Sequence, residues 1–229
     1  MDQISILVKS FFIVITFLTV WQFYRASNKS KSFLILIFGW MTLQFVLVQI
    51  GFYSNENAIP PRLMIQLIPT LIYILVQFFT ARGRRFIDSL NIRQLTLIHT
   101  IRIPVEIVLY YLFVANTIPQ IMTFEGRNFD IIAGLTGAII FYWGFVKNKI
   151  SRKGLLVWNL LSLGLLINIV LIAILSAKSP FQHFAFNEKN IALGHFPFNW
   201  LPSVVVPIVL FSHLATLRQL IAGRKKNNR

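Results

Sequence analysis

The chain has 229 residues, 56% hydrophobic, 14% aromatic and only 13% charged, with a formal charge of +15 and no cysteine. Soluble domains carry about 25% charged residues, so this balance excludes a water-facing globule of ordinary composition. The missing thiols exclude disulfides, thiolate metal sites and a cysteine nucleophile.

The opening residues, MDQISILVKSFF, lack the basic start and small-residue cleavage site of a secretory signal. The first apolar run is therefore read as a retained helix. Seven apolar segments follow one another at about 4–24, 32–53, 61–80, 92–115, 129–147, 154–177 and 199–221, each near the roughly 20 residues a bilayer crossing needs. The expectation is an all-α, polytopic membrane protein: a seven-transmembrane-helix bundle forming a single domain over 1–229. It is a multi-pass chain of a cell or inner membrane, with lipid as its first partner.

Basic residues set the expected orientation. Arg25, Lys29 and Lys31 occupy the first connection, Arg82, Arg84, Arg85 and Arg93 the third, and Lys147, Lys149, Arg152 and Lys153 the fifth. Arg218, Arg224, Lys225, Lys226 and Arg229 close the chain. The even connections are poor in Lys and Arg, which predicts the N-terminus outside and the C-terminus in the cytoplasm. The same distribution argues against a nucleic-acid partner, because the charge lies between apolar blocks and no recognition motif accompanies it.

In the second segment Trp40, Gln44 and Gln49 are the polar candidates. The third carries Gln66, Thr70, Tyr73 and Gln77, spaced to share an arc of about 60°. A polar stripe in lipid must face protein or water, so it is expected to line the interior beside the fourth segment.

That fourth segment, LTLIHTIRIPVEIVLYYLF, holds His99, Arg102, Glu106 and Tyr110 within an arc of about 80°. Arg102 and Glu106 stand four residues apart, a spacing that makes an intrahelical ion pair available. A charge near the bilayer centre costs about 2.5–3.5 kcal/mol on insertion scales, and such residues are functional candidates by default. A packing role for the pair is the competing reading. Pro104 withdraws the donor from the Thr100 carbonyl and predicts a kink.

The fifth segment begins at EGRNFDIIAGLTGAII. Asp130, Gly134, Gly137 and Phe141 share one face, and Gly134 with Ala138 has the spacing that admits a close neighbour. Glu125, Arg127 and Asp130 fall in an expected outer loop leading into this segment; Asn128 and Asp130 suit the helix start, while Glu125 and Arg127 are candidates for an outer gate. In the sixth segment Trp158, Asn159, Ser162 and Asn168 point to two neighbours. The sixth connection carries His183, Glu188 and His195 and is expected to fold back on the membrane surface; exposed interfacial histidines are the expectation there, with zinc the alternative.

The seventh segment carries Pro202, Pro207 and His213. His213 and His99 lie about 12 and 10 Å above their cytoplasmic ends. Two histidines at matched depth could ligate a metal or haem iron or relay protons. Neither HxxxH nor HExxH is present.

Seven helices with the N-terminus outside resembles the layout of microbial and animal rhodopsins. The likeness stops at topology, because no lysine lies between Trp200 and Gly223 to carry a retinal Schiff base. Seven-helix membrane hydrolases related to alkaline ceramidases use three zinc-bound histidines, and the membrane here offers His99 and His213 alone.

The leading functional expectation is a polar cavity between the third, fourth, sixth and seventh segments, centred on His99, Arg102 and Glu106. Tyr110, Gln66, Tyr73, Gln77, Asn159 and His213 surround it. It would bind a small ligand, an anion among the candidates, or conduct protons or ions. The alternatives are a membrane enzyme with a metal or haem centre at His99 and His213, and a sensory or assembly subunit whose charge pair is structural.

Overall fold

The computed structural model describes residues 4–54, 62 and 64–226, with side chains to residue 222. The second connection, 55–61, and the basic C-terminal cluster fall outside the described side chains. The chain is all-α, 76% helical, with no strand among the described residues.

Nine helices are described: α1 Ile6–Ala26, α2 Lys31–Gln49, α3 Met64–Phe79, α4 Ala81–Ser89, α5 Ile92–Ile98, α6 Arg102–Val114, α7 Asp130–Phe141, α8 Arg152–Leu175 and α9 Val206–Lys226. Short polar residues start many of them. Ser5, Ser30, Thr80, Asn91 and Ser151 each accept a hydrogen bond from a backbone N–H of the first turn, the ordinary way of satisfying a donor that has no carbonyl behind it.

Five helical spans are long and apolar enough to cross a membrane: Ile6–Ala26, Lys31–Gln49, Ile92–Val114, Arg152–Leu175 and Leu201–Ala222. The other two predicted crossings are shorter. α3 has 16 residues and meets α4 at 93°, giving about 24 Å of axial rise against a hydrocarbon core of about 30 Å. The apolar run that begins with α7 ends in a π turn at Tyr142–Val146. A connection was expected where α4 forms. Thr80 produces that helix, since its hydroxyl accepts from Gly83 N at 3.1 Å just where α3 stops.

Large apolar side chains are buried and exposed in comparable measure. Phe12, Phe23, Ile98, Leu112 and Phe198 are sealed in one core cluster, while Ile6, Leu7, Ile35, Phe79 and Leu161 stand on the periphery. Helices apolar on every side fit hydrocarbon surroundings better than water.

Packing order differs from the sequence expectation in one consequential way. α1 lies along α5 and α6, whereas α3 packs chiefly on α4, α9 and the turn leading into α9. The stripe on α3 therefore does not line the fourth crossing. Gln66 instead donates to the Leu193 carbonyl at 3.0 Å, Thr70 bonds its own helix at Leu67, and Tyr73 is 38% exposed. Gln77 is half-buried.

Two prolines distort the spans where a donor is lost. Ahead of Pro104 the chain tightens into a 3-10 turn at His99–Ile101, so the predicted kink is a local winding change. Pro207 cannot donate to the carbonyl of Ser203, four residues earlier. That stretch is a π turn, Leu201–Val205, and the indole of Trp40 donates to Ser203 O at 2.9 Å. Trp40→Phe is expected to cost about 1 kcal/mol, read as a lower midpoint of thermal unfolding in detergent; an unchanged midpoint would show that the carbonyl finds another donor.

Beyond α2, Tyr53 donates to Gln44 Oε1 at 2.6 Å. Burial pushes its hydroxyl up to about 12, against the opposing effect of that bond, so Tyr53 remains a donor.

Candidate functional site

A close approach of α7 to the 99–103 stretch builds the site. At Gly134 an added Cβ would lie 2.8 Å from Ile103 Cγ1, 3.0 Å from Ile103 N and 3.2 Å from Arg102 Cβ; at Gly137 it would lie 3.3 Å from His99 Cβ. The face read from the sequence thus lies against the 99–103 stretch in register. Asp130 comes level with Arg102, Gly134 with Arg102 and Ile103, and Gly137 with His99. Phe141 meets the Arg93 guanidinium, 5.2 Å from its ring centre.

Arg102 is 2% exposed and has polar company on three helices. Its Nη1 lies 3.0 Å from Asp130 Oδ1 and donates to the Ser162 carbonyl at 3.1 Å, and Nη2 lies 2.7 Å from His213 Nε2. The ion pair expected with Glu106 is not formed. Glu106 accepts from Asn128 Nδ2 at 2.6 Å, and Asn128 also donates to Met122 O and accepts from Asp130 N. The physical reason is the register of α7. It brings Asp130 to the guanidinium, while Asn128 at the turn above claims the carboxylate one helical turn further along.

Asp130 was expected in an outer loop with Glu125 and Arg127. It belongs instead to the buried centre, at 6% exposure, while Glu125 and Arg127 are exposed. The Arg127 carbonyl accepts from Asn168 at 2.8 Å. Asn128 was legible only as a cap. Its second duty, holding Glu106, depends on the loop returning over α6.

Asn159 fixes the tautomer of His213. The amide nitrogen donates to His213 O at 3.0 Å, leaving Oδ1 as acceptor, and His213 Nδ1 stands 2.6 Å from it. Nδ1 therefore carries the hydrogen, and Nε2 is free to accept from Arg102. His99 stacks on His213 with ring centres 3.9 Å apart and 20° between planes. Trp158 closes the edge of His99 at 5.5 Å and donates its indole N–H to Thr136 at 3.0 Å.

This arrangement does not fit a metal or haem iron shared by His99 and His213, because both nitrogens of His213 are already engaged. No group of three metal-ligating side chains occurs among the described residues. In the sixth connection His183 and His195 bond backbone carbonyls at Phe181 and Ile191, and Glu188 accepts from Gln120 N. That connection enters the bundle at Ala192, Leu193 and Phe198. Tyr110 stacks on Phe124 with ring centres 5.3 Å apart.

Five buried polar atoms of the cluster have no hydrogen-bonding partner among the described residues: both ring nitrogens of His99, Nε of Arg102, Oε2 of Glu106, and Oδ1 of Asp130, which meets Arg102 as an ion pair without hydrogen-bond alignment. Native interiors leave few such atoms, and each one calls for an explanation.

Residues 59–221 match the family described as Domain of unknown function (DUF8737). Since the match covers well over half of the sequence, the chain belongs to that family. No curated protein and no solved structure matches the chain.

Proposed function

We propose that this is a multi-pass membrane protein, crossing seven times with its N-terminus outside, whose buried centre binds and passes protons. The carrying observation is the charge count of that centre. One guanidinium, Arg102, is enclosed with two carboxyl groups, Asp130 and Glu106, and the three residues are 2%, 6% and 1% exposed. Charges taken out of water must be compensated or neutralised. The Arg102–Asp130 pair closes on itself, so the cluster is neutral when Glu106 carries one proton. Its Oε2, with neither a hydrogen-bond partner nor an ion pair among the described residues, is the atom to carry it, whereas Asp130 Oδ1 keeps Arg102 at 3.0 Å.

His99 provides the second station. Its imidazole has both a donor and an acceptor nitrogen uncommitted, the two functions a relay needs to take a proton on one side and give it up on the other. Arg102 lies between the two stations along the chain and donates to Nε2 of His213, whose tautomer Asn159 fixes. The distribution of basic connections supports the orientation, with His99 toward the cytoplasmic half.

The test is proton flux into proteoliposomes carrying a trapped pH-sensitive dye. Wild-type protein is expected to acidify the lumen under an imposed gradient faster than empty vesicles do. Glu106→Gln keeps the bond from Asn128 and should remove at least about 90% of that flux, the loss that follows when a proton-transfer group worth 10-fold or more is deleted. Full flux in a folded Glu106→Gln protein overturns the reading.

A second reading is favoured by Arg102 Nε, a buried donor without an acceptor. A small anion could take that donor together with His99, the guanidinium acting as a fixed positive charge. Chloride, acetate and phosphate added to the purified protein would each be read by thermal shift. Stabilisation by one of them that Arg102→Lys abolishes supports this reading, and no shift from any of the three removes it.

A further inference from the structure

The bundle holds two cavities of different character. One, of about 210 Å³, lies between α3, α8 and the turn leading into α9; Leu67, Ile169, Val170 and Ala173 are among its walls, and no aromatic side chain of the described residues lines it. The other, of about 360 Å³, lies between α2, α3 and α9. Six of its lining residues are aromatic: Phe23, Phe33, Trp40, Tyr73, Phe86 and Phe211. Among the described residues no charged side chain lines either cavity, so neither belongs to the cluster around Arg102.

The aromatic cavity has a fixed floor and an open side. Phe23, Val204 and Phe211 are buried, whereas Leu36, Gly39, Leu43 and Tyr73 are exposed, so the mouth faces the periphery of the bundle. The rings at its base brace one another. Phe23 stands 4.7 Å from Phe33 and 5.6 Å from Phe211, and Phe86 stacks on Phe211 at 6.4 Å, each measured between ring centres. The indole of Trp40 is pinned by its bond to Ser203 O. At the mouth, a Cβ added to Gly39 would meet nothing within 4 Å. The space is therefore walled by rings that are already held in place, and no side chain of α2 fills it at that point.

We propose that this cavity binds a flat, uncharged, lipid-soluble ring compound that enters sideways through the mouth beside Gly39. A cavity of about 150 Å³ already holds benzene, so the present one has room for about three fused rings. Aromatic side chains hold another ring by offset and edge-to-face contacts that a saturated chain cannot make. A charged ring is disfavoured, because the walls carry nothing to compensate it. The aliphatic cavity offers a bilayer chain equal burial without rings, and so serves as the internal comparison.

The experiment uses the full chain in nanodiscs with an azide-bearing anthracene as photoprobe, labelled peptides being identified by mass spectrometry. Labelling is expected on α2 around Gly39 and on α3 around Tyr73, and not on α8 around Val170 and Ala173. Unlabelled anthracene should compete about tenfold better than tetradecane, which has the same number of carbons, the ratio that two ring contacts of ordinary strength supply. Gly39→Leu should reduce labelling to the level of α8, with Gly39→Met repeating the test if the leucine variant does not insert. Gly164→Leu is the matched control, since an added Cβ there also meets nothing within 4 Å; it should label as the wild type does. Equal competition by anthracene and tetradecane, or labelling that survives substitution at Gly39, would mean ordinary contact with bilayer chains and overturn the proposal. Proton flux through Glu106 is measured separately, so either idea can fail alone.

Discussion

Arg102→Met is expected to destabilise the protein by about 3–5 kcal/mol, the usual consequence of removing one member of a buried ion pair. The loss arises mainly from what is left behind. Asp130, 6% exposed, loses the counter-charge at 3.0 Å and must either stay an uncompensated charge or take up a proton, each at a cost. The Ser162 carbonyl and His213 Nε2 also lose the donors that now reach them at 3.1 and 2.7 Å. Arg102→Met combined with Asp130→Leu should recover most of the stability, because two apolar groups of similar volume often replace a buried pair without penalty. The comparison is made by unfolding in mixed micelles. A double variant as unstable as the single one would show that the surrounding polar groups, more than the charge pair, hold this layer. Because these residues share one network, the two substitutions will not add. If the repaired double variant also conducts protons normally, the charge pair serves packing alone.

Gly134→Val should do comparable damage by a different route. The new Cβ would sit 2.8 Å from Ile103 Cγ1 and 3.0 Å from the Ile103 backbone nitrogen. A side-chain tip can swing aside; a backbone nitrogen cannot. The helices must separate, at a cost of about 3 kcal/mol, the upper end for overpacked sites. Separation also lengthens the contact between Asp130 and Arg102, so the variant should lose activity along with stability. Gly164, where an added Cβ meets nothing within 4 Å, supplies the control: Gly164→Ala should be silent. A silent Gly134→Val would contradict the close approach on which the site rests.

The outline of the fold was legible because helices that carry large apolar side chains on every side are written as long apolar runs. Helical segments cover all seven stretches marked out by composition, with five of them long enough to span. The glycine face of α7 was legible for a related reason: small residues repeating at helical spacing have few uses besides close packing. What the sequence left open was adjacency. Arg102 and Glu106 have the spacing of a pair, yet they are separated by the claims of Asp130 and Asn128, residues more than twenty positions away. Asp130 heads the same face as Gly134 and Gly137, and that register was the one available sign of its partner. In the polar stripe of α3, Gln66 reaches Leu193 while Thr70 bonds its own helix and Tyr73 stands exposed, and α1, which carries no buried charge to advertise it, occupies the position beside α5 and α6. Local pattern states that a group must be satisfied. It does not state by whom.

The short helix α4 has a mechanical consequence. Its Asp88 carboxylate receives both Nε and Nη2 of Arg218, at 2.9 and 2.8 Å, and Gln219 donates to the carbonyls of Ile87 and Leu90. Arg152, at the head of α8, donates to the carbonyls of Gln219 and Leu220. Three helices are therefore clamped at one end of α9, a single turn or so from His213. The last helix behaves as a lever with its pivot at that clamp: tilting it displaces the far, proline-bearing arm most and the imidazole least.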